Sequence, residues 1–152
     1  MFLKKIMLVI ASGGGHLTEA NYALLAYKQK KIVLSNYNLH ENLFKKNNSR
    51  FIKIINPHDQ FILYLLNSFQ CLLIFFKYRP KVIFSTGAGI AIPMILIGKI
   101  FGSKIIFMES GCRVEELSRT GSFIYKFADH FLVQWPELKQ KYPKASYHGG
   151  LI

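Results

Sequence analysis

The chain has 152 residues, enough for one domain with a sizeable core, and its 51% hydrophobic and 18% charged residues make it apolar for a soluble domain of that size. Some of that apolar surface is expected to face a membrane or a partner. The formal net charge of +12 is weighted to residues 1–81, with 12 Lys and Arg against 3 Asp and Glu, and suits anionic lipid or phosphate; nucleic acid would match the charge, but no nucleic-acid motif or basic helix accompanies it.

Met1–Lys5 leads into a strand rather than into a secretory signal, so the chain is expected to stay in the cytoplasm. The apolar run Ile6–Ala11 ends in Ser12-Gly13-Gly14-Gly15-His16, which reads as a buried strand turning tightly into a helix. Glycines at the carboxyl end of a first strand let helix-start N–H groups approach an anionic oxygen, so phosphate is the expected ligand. The spacing is neither the dinucleotide fingerprint nor a Walker loop. His16 at a helix start is a candidate proton acceptor, the alternative being a residue that merely caps the turn or faces water.

Leu17, Ala20, Leu24 and Tyr27 form one stripe, which predicts a helix from His16 to Lys30. Strands follow at Ile32–Leu34 and Phe51–Ile55, with a polar loop over 36–50 between them. Asp59 is expected to cap a helix running to Tyr78 that is apolar nearly all round. Such a helix is either sandwiched in the protein or meets lipid or a partner along one face, with Phe61, Leu65, Phe69, Leu72 and Phe76 as candidate membrane contacts. It is short and interrupted for a transmembrane span, and Lys77, Arg79 and Lys81 suit an interfacial position.

Lys81–Ser85 reads as the fourth strand, followed by a second glycine turn, Thr86-Gly87-Ala88-Gly89, and a helix over Ile90–Phe101 with Pro93 in its first turn. Two glycine turns on parallel strands open on one sheet edge and could hold two phosphates of one ligand, or Gly87 and Gly89 could simply permit close packing. Lys104–Met108 is the fifth strand and delivers Glu109 to the same edge, as a candidate general base or as a capping carboxylate. The stripe Val114, Leu117, Gly121, Ile124, Ala128 predicts a helix over 114–128, with Arg113, Arg119 and Lys126 read as solvated charges. His130–Val133 is a sixth strand, a short helix runs from Trp135-Pro136 to Tyr142, and Ser146–His148 adds a last extended piece. The alternation predicts an α/β fold, a Rossmann-like doubly wound parallel sheet in one domain. Cys71 and Cys112 stand apart without metal-like spacing, so neither a disulfide framework nor a metal site is indicated.

The order strand–SGGGH–helix, strand–TGAG–helix, strand–MES, then FLVQWPE and HGG resembles the amino-terminal half of the two-domain GT-B glycosyltransferases, among them the lipid I N-acetylglucosamine transferase. It is most similar to the single-domain version: the membrane-side subunit of the eukaryotic two-chain dolichol-pyrophosphate-GlcNAc transferase and its bacterial capsule and exopolysaccharide counterparts. The resemblance implies an acceptor-binding, membrane-associated subunit of an inverting, metal-independent transferase without a cofactor, or else a non-catalytic scaffold that recruits the catalytic subunit. It implies a partner chain carrying the donor-binding domain, a UDP-sugar shared with that partner, and a lipid-pyrophosphate-linked sugar as acceptor. By position, Ser12, Gly13, Gly14 and Gly15 match a first acceptor-diphosphate loop, Thr86, Gly87 and Gly89 a second, and His16 and Glu109 the candidate catalytic groups. Met1–Lys5 is too short for an anchor, so attachment to the inner face of the plasma membrane is expected through the 61–76 helix, basic residues or the partner.

Overall fold

The computed structural model describes residues 6–37, 49–58 and 60–151. Seven strands form one sheet: β1 (Met7–Ala11), β2 (Lys31–Ser35), β3 (Ser49–Lys53), β4 (Val82–Gly87), β5 (Lys104–Met108), β6 (His130–Val133) and β7 (Ser146–Tyr147). The helices are α1 (Gly15–Ala23), α2 (Phe61–Tyr78), α3 (Ile92–Ile100), α4 (Arg119–Ile124) and α5 (Pro136–Lys141), and a 3-10 turn at Gly89–Ala91 precedes α3. The strand order is β3-β2-β1-β4-β5-β6-β7 and every pairing is parallel, so this is the doubly wound α/β fold.

Both sheet faces are covered, which is why the strands read as continuous apolar runs. Alternation along β1 sends Leu8 and Ile10 into the larger core with α2, α3 and α4, and Val9 and Ala11 into the smaller one with Leu17 and Ala20 of α1. The strand order reverses direction between β1 and β4, and there the loops from the two carboxyl ends diverge and leave a crevice. The β1–α1 glycine loop and the β4–α3 turn both open on it. The pairing there is irregular: Ile10 aligns with Ser85 and Ala11 with Gly87, leaving Thr86 as the extra residue.

Several boundaries differ from the sequence expectation, each where hydrogen bonds outside the regular pattern end the element. α1 ends at Ala23 rather than Lys30, because i→i+3 bonds to the carbonyls of Asn21, Tyr22 and Leu24 tighten the chain and the Lys31 ammonium takes the Tyr27 carbonyl at 2.7 Å. β3 stops at Lys53 rather than Ile55. There the α2 side chains Gln70 and Asn67 take over the Ile55 backbone, at 2.9 Å to its N–H and 2.6 Å to its carbonyl. The expected helix over 114–128 is confined to Arg119–Ile124, since the Ser118 side chain caps it by accepting the Gly121 N–H. Pro93 lies in the first turn of α3 as expected. Asp59 and most of the 36–50 loop lie outside the described residues.

The sandwiched alternative for α2 is overturned. Only Asn67, Cys71, Ile74 and Phe75 of its 18 residues are buried, while Phe61 is 75% exposed and Phe69 62%. Leu65 and Phe76 join that exposed face, as do Ile62, Leu66 and Leu73; Leu72 is half-buried. The apolar surface continues onto α3 through Ile100 and Phe101, whose ring meets those of Phe75 and Phe76. By length and composition α2 could cross a membrane, but here its inner face is fastened to the sheet through Asn67 and Gln70 and packs on α3.

Candidate functional site

The first glycine loop is held from two sides. Gly13 donates its N–H to the Asn36 side chain at 2.9 Å, and a Cβ there would stand 2.4 Å from the Cβ of Tyr37. Gly14 takes φ +83, a conformation that side chains resist, and its carbonyl accepts both the N–H and the hydroxyl of Thr18 as α1 begins. Gly15 has open space where a Cβ would be, and Ser12 is half-buried at the end of β1. The N–H groups of Gly15 and His16, two residues that line the crevice, lie in the first turn of α1, where a helix supplies no acceptor. They are available to an anion.

The second turn is fitted to the first. Thr86 is buried, and its hydroxyl donates to the His16 carbonyl at 2.6 Å, fastening β4 to α1. Gly87, at φ +118, donates its N–H to the Ser85 hydroxyl and leaves room for the His16 ring: a Cβ there would lie 3.4 Å from Cε1 and 3.5 Å from Nδ1. The space beside Gly89 is filled by the Tyr64 hydroxyl, which would be 2.5 Å from a Cβ. Thr86, Gly87 and Gly89 thus make close internal contacts, and Ala88 is the residue of this turn that lines the cleft.

That cleft, of about 580 Å³, is lined by Gly15, His16, Glu19, Ala88, Ser110, Cys112, Arg113, Ser118, Arg119 and Thr120. His16 is one third exposed at its wall. Arg113 and Arg119, read from the sequence as solvated, line the same cleft, and among the described residues neither makes an ion pair. Helical periodicity carries no information about Arg113, because the segment before Arg119 is not helical, and Arg119 is only the first residue of α4.

Glu109 does not line the cleft. It is 0% exposed beneath it; Oε1 accepts the Ser110 N–H at 3.0 Å, and Oε2 accepts the N–H and hydroxyl of Ser118 at 2.9 and 3.0 Å. A Cβ at Gly121 would stand 1.9 Å from Glu109 Oε2, so the carboxylate and α4 are mutually fitted. The carboxylate that does reach the cleft is Glu19, which sequence reasoning missed. Its spacing of three from His16 is the signal that could have found it. Glu19 Oε1 accepts the Gly111 N–H at 2.8 Å, the Ser110 hydroxyl at 3.1 Å and the Gln134 amide at 3.4 Å. Among the described residues no group of three His, Cys, Asp or Glu could hold a metal ion.

A second hollow of about 500 Å³ continues past Glu19 and Cys112, between Trp135, Pro136 and Tyr147, where the Trp135 indole donates to the Gly111 carbonyl at 2.6 Å. The C-terminal ends of β5, β6 and β7 therefore present a continuous recess beside the crevice.

Solved structures share this fold. MurG from Acinetobacter baumannii superposes with a TM-score of 0.68 at 16% identity, over 87% of this chain and 42% of that one. A glycosyltransferase from Rickettsia africae gives 0.72 at 13% identity, over 97% and 43%. The UDP-GlcNAc 2-epimerase of Methanocaldococcus jannaschii gives 0.65 at 12% identity, over 95% and 45%. Among curated proteins, the human UDP-N-acetylglucosamine transferase subunit ALG14 is 40% identical over 83 residues, half of this chain and 38% of the human protein. Its Yarrowia lipolytica counterpart is 38% identical over 82 residues, again half of this chain and 38% of that protein. This chain therefore matches less than half the length of those relatives. The family described as "Oligosaccharide biosynthesis protein Alg14 like" matches residues 57–151, well over half of the chain, and the chain belongs to that family.

Proposed function

We propose that this chain is the acceptor-side subunit of a two-chain glycosyltransferase that moves a sugar from a UDP-sugar to a lipid-pyrophosphate-linked sugar in polysaccharide biosynthesis. The observation that carries the reading is the cleft at the β1/β4 crevice, where His16, the first N–H groups of α1 and two arginines without an ion pair among the described residues converge. Family membership and the relatives' designation as transferase subunits support it. The donor-binding domain belongs to a partner chain, which docks over the open edge formed by the cleft and the recess beside Trp135.

In this reading the acceptor's diphosphate lies between the start of α1, at Gly14 and Gly15, and the guanidinium groups of Arg113 and Arg119, which suit a phosphate's paired oxygens. Ser12 and Gly13 shape the loop, and Thr86, Gly87 and Gly89 shape the wall that positions His16. The acceptor hydroxyl gives its proton to the His16 imidazole as its oxygen bonds to the anomeric carbon. The bond from that carbon to the donor's diphosphate breaks, and the electron pair leaves with UDP. Fixing the hydroxyl in line contributes up to roughly 7–11 kcal/mol in ideal cases, and general-base help about 10²–10⁴ in rate. Glu109 serves to hold the Ser110–Ser118 segment under the cleft rather than to move a proton.

The exposed face of α2 rests on the cytoplasmic side of the membrane. Residues 60–108 contain no Asp or Glu, and Lys77, Arg79 and Lys81 stand exposed at the end of this apolar surface, each worth about 1 kcal/mol beside anionic lipid. Tyr64 links that face to the second turn of the site, so a lipid-borne acceptor reaches the cleft along α2.

The test is sugar transfer to a lipid-pyrophosphate-sugar acceptor in membranes with this chain, its partner, or both, repeated with His16→Ala. Activity that needs both chains and falls by about 10²–10⁴ in the variant is the expected result. Full activity with His16→Ala would leave this chain a recruiting scaffold.

A further inference from the structure

His16 and Glu19 each carry one buried polar atom that has no hydrogen-bond partner: Nδ1 of the histidine and Oε2 of the glutamate. They lie 3.8 Å apart, one turn along α1. Two orphaned buried groups of complementary chemistry side by side cost free energy unless they serve each other. A catalytic hydrogen bond is often long before substrate binds and tightens afterwards.

Every surrounding contact restricts this pair to one arrangement. The Thr86 hydroxyl fixes the His16 backbone, and the Cε1–Nδ1 edge of the ring faces Gly87, so the edge left open to the cleft carries Nε2. Glu19 is only 7% exposed, and its Oε1 is fully engaged by Gly111, Ser110 and Gln134, which lie just past the ends of β5 and β6 and far away in sequence. The carboxylate cannot rotate away, and its remaining oxygen points at Nδ1. No Lys or Arg ion-pairs with Glu19 among the described residues.

We infer that Glu19 is a positioning residue that holds His16 as the tautomer protonated at Nδ1, leaving Nε2 as the proton acceptor on the cleft side. The imidazolium formed after proton transfer is then stabilised by the same carboxylate. The role in transfer rests on the function proposed above; the tautomer does not.

Glu19→Gln tests it. The three donors on Oε1 retain the amide oxygen, so the amide NH2 takes the place of Oε2 and donates to Nδ1, which forces the ring proton onto Nε2. Long-range ¹H–¹⁵N spectra of the full chain, labelled on histidine and recorded where the ring is neutral, read the tautomer directly, with His16→Ala identifying the signals. The expected result is the Nδ1–H form in the wild-type chain and the Nε2–H form in Glu19→Gln. In the complex with its partner, kcat should fall by about 10²–10⁴ with the acceptor KM nearly unchanged. An Nε2–H form in the wild-type chain overturns the inference, whether or not the variant folds, and so does an unchanged tautomer in a folded variant. A switched tautomer with an unchanged kcat leaves the inference standing and removes His16 as the base.

Discussion

Glu109→Gln separates a carboxylate that holds the fold from one that reacts. Each of its two oxygens accepts a backbone N–H, from Ser110 at 3.0 Å and from Ser118 at 2.9 Å, and Oε2 also takes the Ser118 hydroxyl. An amide keeps one oxygen, so in either orientation its NH2 confronts a backbone N–H. The residue is 0% exposed, and water cannot replace the lost partner. Leaving one buried donor unsatisfied costs about 1–3 kcal/mol, and weakening the hydrogen bonds that remain brings the expected loss to about 2–3 kcal/mol. For a chain of this size that lowers the Tm by roughly 4–12 °C. The assay is thermal and urea unfolding of the full chain followed by circular dichroism, with transfer measured well below the transition. Activity should fall only in step with the folded fraction. A variant that unfolds within about 1 °C of wild type while transfer falls roughly a hundredfold would refute the reasoning and make Glu109 a reacting group.

The same fit makes Gly121→Ala destabilising, although alanine favours a helix by about 1 kcal/mol over glycine, because its Cβ would collide with the buried Glu109 carboxylate; the urea midpoint should drop. Phe69→Gln should weaken sedimentation with anionic vesicles by about 10- to 100-fold without lowering the Tm, since burying one such side chain contributes about 1.5–3 kcal/mol and the amide adds no charge. An unchanged vesicle affinity would remove the α2 face from the membrane. Arg113→Ala and Arg119→Ala should each raise the acceptor KM by about tenfold or more and change kcat little, the signature of a lost charge-assisted contact made equally before and during reaction. Burial pushes Asp129 upward, but the Ile105 N–H and Lys99 pull it further down, so its carboxyl ends below the usual value. A depressed carboxyl contributes stability that is present above its unfolded pKa of about 3.9 and is lost as pH falls from there through the lower folded value. Unfolding between pH 7 and pH 2 should therefore show the wild-type advantage over Asp129→Asn shrinking below about pH 4.

Much of this protein follows from local pattern. Apolar runs ending in glycine turns, alternating with amphipathic segments, leave a parallel sheet as the arrangement that buries both faces, and parallel strands necessarily bring Ser12–His16 and Thr86–Gly89 to one edge. The composition of α2 announced that its apolar surface exceeds what one sheet can cover. Local pattern could not decide which face stays open; that depended on Asn67 and Gln70 reaching the end of β3, 12 to 17 positions away.

The candidate site depended still more on distant partners. Glu109 and Glu19 are both acidic residues near glycine turns; the spacing of three marks Glu19 as a neighbour of His16, but local sequence does not say which carboxylate braces a loop and which faces a cleft. Ser118 and Gly121 enclose the first, while Ser110, Gly111 and Gln134 orient the second across 91 to 115 positions. The same Ser118 cap starts at Arg119 the helix that periodicity extends back to Val114, and Arg113 lines the cleft from the non-helical segment before it. The sequence by itself determined the order of elements and the edge at which they open, because hydrophobic period and turn chemistry act between neighbours. Only the tertiary structure decided which polar groups are used up inside the protein and which are left facing the cleft, because hydrogen bonds are satisfied by whatever the fold brings within 3 Å, wherever it lies in the chain.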